Sequence, residues 1–503
     1  MKVALLSFEH LIISRGLRSI SAVLKKNGHE SRMIFVRTLP GRESLNRELL
    51  QSVIECCQEA DVVGISLMSQ YFLQAKALTV ELKKTFKKPV IWGGIHPTVR
   101  PEECLEFADG VCLGEGEWSF LELINKIQNN EEYTDTAGFW FRCGDEVVKN
   151  GLYPLEENLD NLPDPDYEIE SQLIRQGNEI VPLTNEIFEA CLPKRVLGNK
   201  MVTEFYIAGS RGCPYHCAYC TSPTLNNFYP GQKYFRLRKI EDVVDEARYL
   251  KNHFSFIGNI YFSDDDIFAC PPGRLETFAR LWKEKVNLLF ICTFMPFSYS
   301  EERLKLVKEA GAVIVNMGIQ SVSQKGMEVF DRHVPKEKLL SVIKSVDEVK
   351  MPLPPVYDFI LDNPYESLDD KLENLNFILS LPKNIDIKTF SLTPFPGTSI
   401  YERYKRDGIL KSDTKDIYST AYSEIEKSYI NFLYDLVVAN FPRWLIKLAA
   451  GKRIVLLMGK YLPESAIGKL KNFITYYQGI KSLARGELYK IGYHKVLKNF
   501  YSS

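Results

Sequence analysis

Short apolar runs bounded by small or turn-forming residues alternate with helically spaced stretches in two separate blocks of this 503-residue chain, a rhythm that narrows its fold more than any other feature. In the first block the strand-like runs are Val3 to Ser7, Ser31 to Val36, Val62 to Leu67, Val90 to Trp92 and Gly110 to Leu113. Helical stretches such as Leu17 to Lys26 and Phe72 to Lys84 separate them. Alternation of this kind describes an α/β domain built on a doubly wound parallel sheet, here over residues 1–130. Such sheets bind ligands beyond the carboxyl ends of their strands.

The alternation weakens over residues 131–202. Gly138 to Val148 reads as a hairpin turning at Gly144-Asp145, and Leu159-Asp-Asn-Leu-Pro-Asp-Pro-Asp166 as an extended connector, because proline bars helix and restrains its predecessor. Residues 168–202 have no placement from pattern alone. The rhythm returns over residues 203–400, with strands expected at Phe205 to Ala208, Asn259 to Phe262, Leu289 to Thr293, Val313 to Met317, Val356 to Leu361 and Ile385 to Phe390. Helices are expected between them, notably Ile240 to Leu250 and Lys336 to Val349.

At the opening of this second block stands Arg211-Gly-Cys-Pro-Tyr-His-Cys-Ala-Tyr-Cys220. Cys213, Cys217 and Cys220 are too crowded to be core filler. With no fourth partner close by, three soft thiolates hold three irons of a four-iron cluster and leave one open. Zinc asks for four closed ligands, and His216 is the one nearby candidate for a fourth. The spacing C-x3-C-x-aromatic-C, with Tyr219 ahead of the last cysteine, resembles the signature of the radical S-adenosylmethionine (radical SAM) superfamily. That resemblance implies a [4Fe-4S] cluster on Cys213, Cys217 and Cys220 whose open iron chelates the methionine part of SAM. It further implies cleavage of SAM to a 5′-deoxyadenosyl radical, an electron donor such as flavodoxin or ferredoxin, and a partial (β/α)6 barrel behind the loop.

Three strand ends of the first block carry small or unusual residues: Ser66-Leu-Met-Ser69, Gly93-Gly-Ile-His96 and Gly114-Glu-Gly-Glu117. Glycine lets a backbone approach a flat, bulky ligand with no Cβ in the way, although any one of these segments alone reads as a tight turn. Together they resemble the cobalamin-binding domain that precedes the barrel in one large radical SAM subgroup. The resemblance implies cobalamin contacts at Ser66, Ser69, Gly93, Gly94, His96, Gly114 and Glu115. The D-x-H-x-x-G motif that supplies a lower cobalt ligand is missing, since His10 stands six residues before Gly16. Cobalamin held without histidine ligation is the expectation, and a degenerate domain that binds nothing is the alternative.

In a β/α barrel the chemistry lies at the carboxyl ends of the strands, where this chain has its polar outliers. Ser263-Asp-Asp-Asp-Ile-Phe268 stands where relatives often carry Gly-Gly-Glu. Asp264 or Asp265 is therefore expected to receive the SAM ammonium, a carboxylate being the natural partner of a buried cation, while one of the three acids caps a helix. Gln320 of Gly318-Ile-Gln-Ser321 occupies a position that relatives usually fill with Glu and that tends to meet the ribose or methionine of SAM. Tyr219, Ser321 and Arg332 complete the candidate SAM set, with a surface salt bridge as the other reading of Arg332. Tyr357 and Asp362 are candidate substrate contacts. Asp362 takes the glycine place of a Gly-x-Pro-x-Glu pattern, so it reads equally as a turn closed by an Asx hydrogen bond. Phe395-Pro-Gly-Thr398 reads as a structural turn, and no catalytic side chain is singled out, because cofactors carry such chemistry.

A net charge of −1 argues against general nucleic-acid affinity, yet the charge is uneven. From Arg443 onward there are 12 Lys or Arg against Glu464 and Glu487, leaving about −11 on the remainder. Residues 401–503 look helical, with Trp444, Lys447, Lys452, Arg453, Tyr461, Tyr476 and Tyr477 interleaving aromatic and basic side chains. The preferred reading is a helical cap on the barrel with a solvated basic face; the other is peripheral contact with an anionic membrane. The 11 cysteines are scattered apart from the triplet and Cys56-Cys57, and Met1 leads directly into a strand pattern. A reducing, cytoplasmic protein is the expectation. No run of 18 apolar residues occurs. The activity implied is C-methylation of an unactivated carbon of a small-molecule or lipid substrate. A cobalamin-dependent cyclase or rearrangement enzyme and a non-catalytic cluster or cobalamin carrier are the alternatives.

Overall fold

The computed structural model describes residues 1–41, 44–197, 200–472 and 474. The five strands expected first are present as β1 (Lys2–Ser7), β2 (Glu30–Phe35), β3 (Val62–Ser66), β4 (Val90–Gly93) and β5 (Gly110–Cys112). They pair in parallel in the order β5-β4-β3-β1-β2. The sequence order reverses beside β1, so a crevice opens at the strand ends there. Helices cover both faces, which is why β1 is continuously apolar rather than alternating. Val3 and Leu5 pack into one core and Ala4 and Leu6 into another.

The first sheet gains further strands from beyond residue 130. The hairpin of β6 (Phe139–Cys143) and β7 (Glu146–Lys149) turns at Gly144, φ 65°, and adds antiparallel to β5. On the other edge β8 (Leu173–Gln176) pairs with β2 and β9 (Glu179–Pro182) with β8. Both additions occupy sheet edges that would otherwise expose unpaired backbone groups. The unplaced 168–202 segment is thus shared, since β10 (Lys194–Leu197) pairs antiparallel with β11 (Lys200–Ile207) of the second sheet. Strands of four residues are too short to show a period of two, so pattern alone passed over them.

The second sheet runs β11, β14 (Ile257–Phe262), β15 (Leu289–Phe294), β16 (Ala312–Gln320), β17 (Val356–Leu361) and β18 (Asp386–Ser391), six parallel strands in chain order. Between β11 and β14 the two-residue strands β12 (Ser210–Arg211) and β13 (Arg236–Leu237) pair antiparallel and bracket the cysteine loop. Helices Ile240–His253, Arg274–Lys285, Glu301–Ala310 and Lys336–Val349 sit on the outer face. There Phe262, Phe278, Trp282 and Phe290 pack edge to face, with centroids 5.2–5.5 Å apart. The inner face is floored by Ile291, Ile314 and Val356, with Tyr261 against them.

The C-terminal region is helical as expected, with helices Ser399–Arg406, Tyr429–Val438, Arg443–Ala449 and Lys452–Tyr461. It also reaches back to the first domain: Tyr418 donates to Glu103 at 2.8 Å and Arg100 pairs with Asp413 at 3.0 Å. The region therefore straps the two sheets together as well as capping the barrel. Tyr476, Tyr477 and the end of the basic tail lie outside the described residues. Among the described residues no helix is long and apolar enough to cross a membrane.

Candidate cofactor cleft

The cysteine loop is pinned along its length. Gly212 adopts φ 77°, and a Cβ there would lie 2.5 Å from the Tyr234 carbonyl oxygen, so the residue before Cys213 has to be glycine. Ala218 N donates to the Phe330 carbonyl at 2.9 Å, and Ile400 N donates to the Ala218 carbonyl at 3.1 Å. Tyr219 lays its ring edge-on to Phe330, centroids 5.4 Å apart, which makes it a wall of the loop. Cys217 is buried, Cys213 and Cys220 are half-buried, and His216 is exposed. Burial, and then the Asp265 carboxylate, push the Cys213 thiol up to about 12, and burial raises Cys220 as well. Thiolates here need a positive neighbour, which a cluster's irons supply. Among the described residues no three His, Cys, Asp or Glu side chains converge as ligands of one ion. A four-iron cube asks for something different, each thiolate on its own iron.

Arg332 lies beneath this loop, not on the surface. Its guanidinium donates to the Gly318 carbonyl at 2.6 Å and to Met295 Sδ at 3.3 Å, and stands 3.5 Å from Cys217 Sγ. Its Nε and the Gln320 Oε1 are buried with no hydrogen-bond partner. Gln320 holds φ 70°, a strained conformation for a residue with a side chain. Two unpartnered polar atoms beside the cysteines fit a polar ligand such as SAM, since a buried polar group without a partner is costly.

The three aspartates after β14 divide their work. Asp264 accepts from Gly209 N at 3.0 Å and from the Ser210 hydroxyl, so it fastens the approach to the cysteine loop instead of offering itself to an ammonium. Asp266 accepts from Tyr215 Oη at 2.6 Å and from Phe268 N at 3.0 Å, closing an Asx turn, while the helix that follows, Arg274–Lys285, is capped at Gly273 and by none of the three acids. Asp265 is the exposed one of the three. Ser321 is likewise committed elsewhere. Its hydroxyl is buried among Glu366, Ser323 and Asn374, within 3.2 Å of each, so it ties two barrel loops together.

Facing the cysteine loop are the strand ends of the first sheet, across a cavity of about 460 Å³. Gly64, Ser66, Gly93, Gly94, Gly114 and Glu115 line one wall; Gly212, Ser263, Asp264 and Asp265 line the other. Gly94 holds φ 99°, and a Cβ would lie 2.8 Å from the Leu67 carbonyl oxygen. A wall of backbone without Cβ atoms fits a broad flat ring such as a corrin. His96 and Ser69 are not part of that wall, which corrects two expected contacts. Ser69 Oγ meets His96 Nδ1 at 3.0 Å, and the imidazole, fully buried, packs against Phe72 and Tyr418. Burial, and then Arg100, depress its pKa to about 3. It is a neutral core histidine.

Residues missed by pattern bind the two walls together. Arg211 pairs with Glu117 at 2.6 Å and with Glu115 at 3.3 Å, Arg236 also pairs with Glu115, and Arg15 donates to the Ser263 hydroxyl. Arg211 stands two residues before Cys213, and Glu117 closes the Gly114-Glu-Gly-Glu segment, so both lay inside motifs already marked.

Residues 1–124 match the B12 binding domain family, and residues 207–378 match the Radical SAM superfamily. The chain carries a B12 binding domain and a Radical SAM domain. Similar proteins include an uncharacterised methyltransferase of Pyrococcus horikoshii, 25% identical over 68% of this chain and 69% of the relative. Another is the bacteriochlorophyllide d C-8(2)-methyltransferase of Chlorobaculum tepidum, 23% identical over 73% of each chain. Among solved structures, the cobalamin-dependent S-adenosylmethionine radical enzyme OxsB superposes with a TM-score of 0.65 at 15% identity, over 96% of this chain and 80% of that one. The two domains imply a [4Fe-4S] cluster, SAM and cobalamin as cofactors.

The two residues expected at the substrate part company. Tyr357 is buried in the core on the helix side of β17, so it does not face the barrel interior. Asp362 holds φ 60° and accepts from Glu426 N at 2.9 Å and from Asn431 Nδ2 at 2.5 Å. It clasps the C-terminal region, in a conformation aspartate tolerates better than most residues. The residue between them in register, Asp358, faces the inner side. Its Oδ1 is buried with no hydrogen-bond partner, and burial lifts its pKa to about 6 against the opposing pull of Lys388.

Proposed function

We propose that this protein is a cobalamin-dependent radical SAM methyltransferase acting on an unactivated carbon of a small molecule. The observation that carries the reading is the shared cavity: the glycine wall of the B12 domain and the acids beside the cysteine loop line the same space. Cys213, Cys217 and Cys220 would hold a cluster that supplies the one-electron chemistry on SAM, and the glycine wall of the B12 domain would hold cobalamin as the methyl source. Two cofactors suit such a carbon because SAM alone donates methyl to electron-rich atoms. Redox-only use of cobalamin would serve a cyclase. Methyl transfer is favoured by the methyltransferases among the similar proteins.

The chain's own residues position and shield. Arg332 keeps a positive charge against Cys217 and offers its free Nε to the SAM carboxylate, while Gln320 Oε1 accepts from SAM. Asp265 takes the ammonium that Asp264 is too engaged to take. The ion pairs of Arg211 and Arg236 with Glu115 and Glu117 hold the cleft walls at a set separation. Substrate sits on the inner face of the barrel, where Asp358 meets a donor group of it. On that face Asn316 donates to Tyr261 Oη at 2.9 Å, and Tyr261 stacks on Tyr206. Electrons would come from a flavodoxin or ferredoxin in a reducing cytoplasm.

Anaerobic reconstitution with iron, sulfide and cobalamin tests the reading. Reduction in the presence of SAM should release 5′-deoxyadenosine, and replacing Cys213, Cys217 and Cys220 by serine should abolish that release. With SAM deuterated in its methyl group, product from a cell extract of the source organism should carry the label. Unlabelled product would leave a cyclase, and no 5′-deoxyadenosine would leave a carrier.

A further inference from the structure

The pair of helices Arg443–Ala449 and Lys452–Tyr461 presents an apolar surface left exposed among the described residues. Trp444, Leu445, Leu448, Ile454, Leu456, Leu457 and Tyr461 account for seven of the 17 exposed large apolar side chains among the described residues, within 18 consecutive positions. Trp444 and Leu448 are each 64% exposed, Leu457 58% and Tyr461 67%. Scattered exposed apolar residues are ordinary, whereas a concentration of this size marks an interaction surface. The helices themselves are anchored: Ile446, Ala450 and Val455 are buried against the body, and Arg443 donates to the Leu381 and Pro382 carbonyls. Their exposed stripes, 444/445/448 and 454/457/461, follow helical spacing on the sides away from those anchors.

Charge decides what covers the stripes. Lys447, Lys452, Arg453 and Lys460 are exposed among them, and no acidic residue occurs from Phe441 to Leu462. Among the described residues, Lys452 alone of these four has an acid beside it, Asp369 at 2.6 Å. A second copy docking through this surface would bring the same cations together across a two-fold axis. The rest of the tail, with five Lys or Arg against Glu487 from residue 475 onward, carries the same sign. A surface that is apolar, negatively charged and broad satisfies both features. Trp and Tyr at the rim are side chains that settle at a headgroup layer.

We infer that residues 443–461 form a peripheral docking surface for an anionic lipid bilayer, the two helices lying in the interface with Leu448 and Leu457 among the acyl chains and Trp444, Tyr461, Lys447, Arg453 and Lys460 at the headgroup layer. This placement is independent of the reaction catalysed. It turns the balance between the two readings of the tail, because its packed face and its exposed face are distinct.

Sedimentation of the full-length, reconstituted protein with large vesicles tests it. Vesicles of phosphatidylcholine with phosphatidylglycerol should bring the protein down at low salt, pure phosphatidylcholine vesicles should do so far less, and high salt should release it. Trp444→Ser and Leu457→Ser should each weaken partitioning about tenfold, and Lys447→Gln or Arg453→Gln about fivefold each. Cluster absorbance and 5′-deoxyadenosine release should stay at the unsubstituted level in all four, showing an intact fold. Absence of binding to the anionic vesicles at low salt, or binding that the serine variants leave unchanged, overturns the inference. So does a stable dimer that dissociates in those variants, which would assign the face to a second copy.

Discussion

Arg211 and Glu117 meet at 2.6 Å across the boundary between the two domains, joining the strand that enters the cysteine loop to the first turn of helix Glu117–Gln128. Glu117 is 93% removed from solvent, at 7% side-chain exposure. The pair sets where the B12 domain stands relative to Cys213, so its loss should be felt both in stability and at the cluster.

Glu117→Ala leaves the Arg211 cation buried beside Glu115 alone. Breaking such a pair costs about 3–5 kcal/mol. Burial by itself would raise the Glu117 pKa, but Arg211 outweighs it and holds the carboxyl below its ordinary 4.5. The stabilisation is therefore present above 4.5 and lost as pH falls below it. Urea unfolding of Glu117→Gln at pH 7 should show the deficit, and between pH 5 and 3.5 the variant should lose less additional stability than the parent.

His96 gives a second pH signature at milder acidity. Its pKa falls from 6.5 unfolded to about 3 folded, so the unfolded chain binds a proton that the folded chain refuses. Stability is complete above 6.5 and declines by about 1.4 kcal/mol per pH unit below it, until about pH 3. From pH 6.5 to 5 this single ring should account for about 2 kcal/mol, and His96→Phe should flatten that part of the profile. Cobalamin absorbance of the variant should match the parent, because the ring does not line the cleft.

Asp358 behaves in the opposite sense. An acid raised from 3.8 to about 6 takes up a proton on folding, so stability declines as pH rises from 3.8 to 6, and the penalty is complete above that. Asp358→Asn should gain up to about 3 kcal/mol at pH 8 and nothing at pH 3.5. A buried carboxylate with an unpartnered oxygen on the barrel's inner face is the substrate contact we propose. The same variant should keep its 5′-deoxyadenosine release and lose methylated product.

Asp362→Gly exchanges strain for a lost clasp. Glycine relieves about 1 kcal/mol at a positive φ, whereas two hydrogen bonds to a carboxylate contribute about 1.5–3 kcal/mol each. The net expectation is a destabilised C-terminal region, seen as faster proteolysis between Asp407 and Ser428 with an unchanged cluster spectrum.

The candidate site was readable where chemistry is local in the chain and unreadable where it depends on what a side chain faces. Cys213, Cys217 and Cys220 sit within eight residues, so spacing alone declared them. Gly93, Gly94 and Gly114 announced themselves because a backbone that must turn or be approached closely excludes other residues. His96 and Ser69 belong to the same short segments and yet pair with each other in the core. Tyr357 and Asp358 are adjacent, and strand geometry sends one to the helices and the other to the barrel interior, a choice set by register.

The alternation of runs by itself determined two α/β sheets in order, since periods of 2 and 3.6 are imposed by backbone geometry that every residue shares. The spacing of Cys213, Cys217 and Cys220 marked them as the cluster ligands we propose. Only the tertiary structure decided that the four-residue strands of the bridge complete both sheets, that Arg211 reaches Glu117 94 residues away, that Asp264 holds a loop while Asp265 faces the cleft, and which side of the last helices is left bare. Each of these depends on contacts between distant segments, whose free energies are set by burial and charge pairing after the chain has come together.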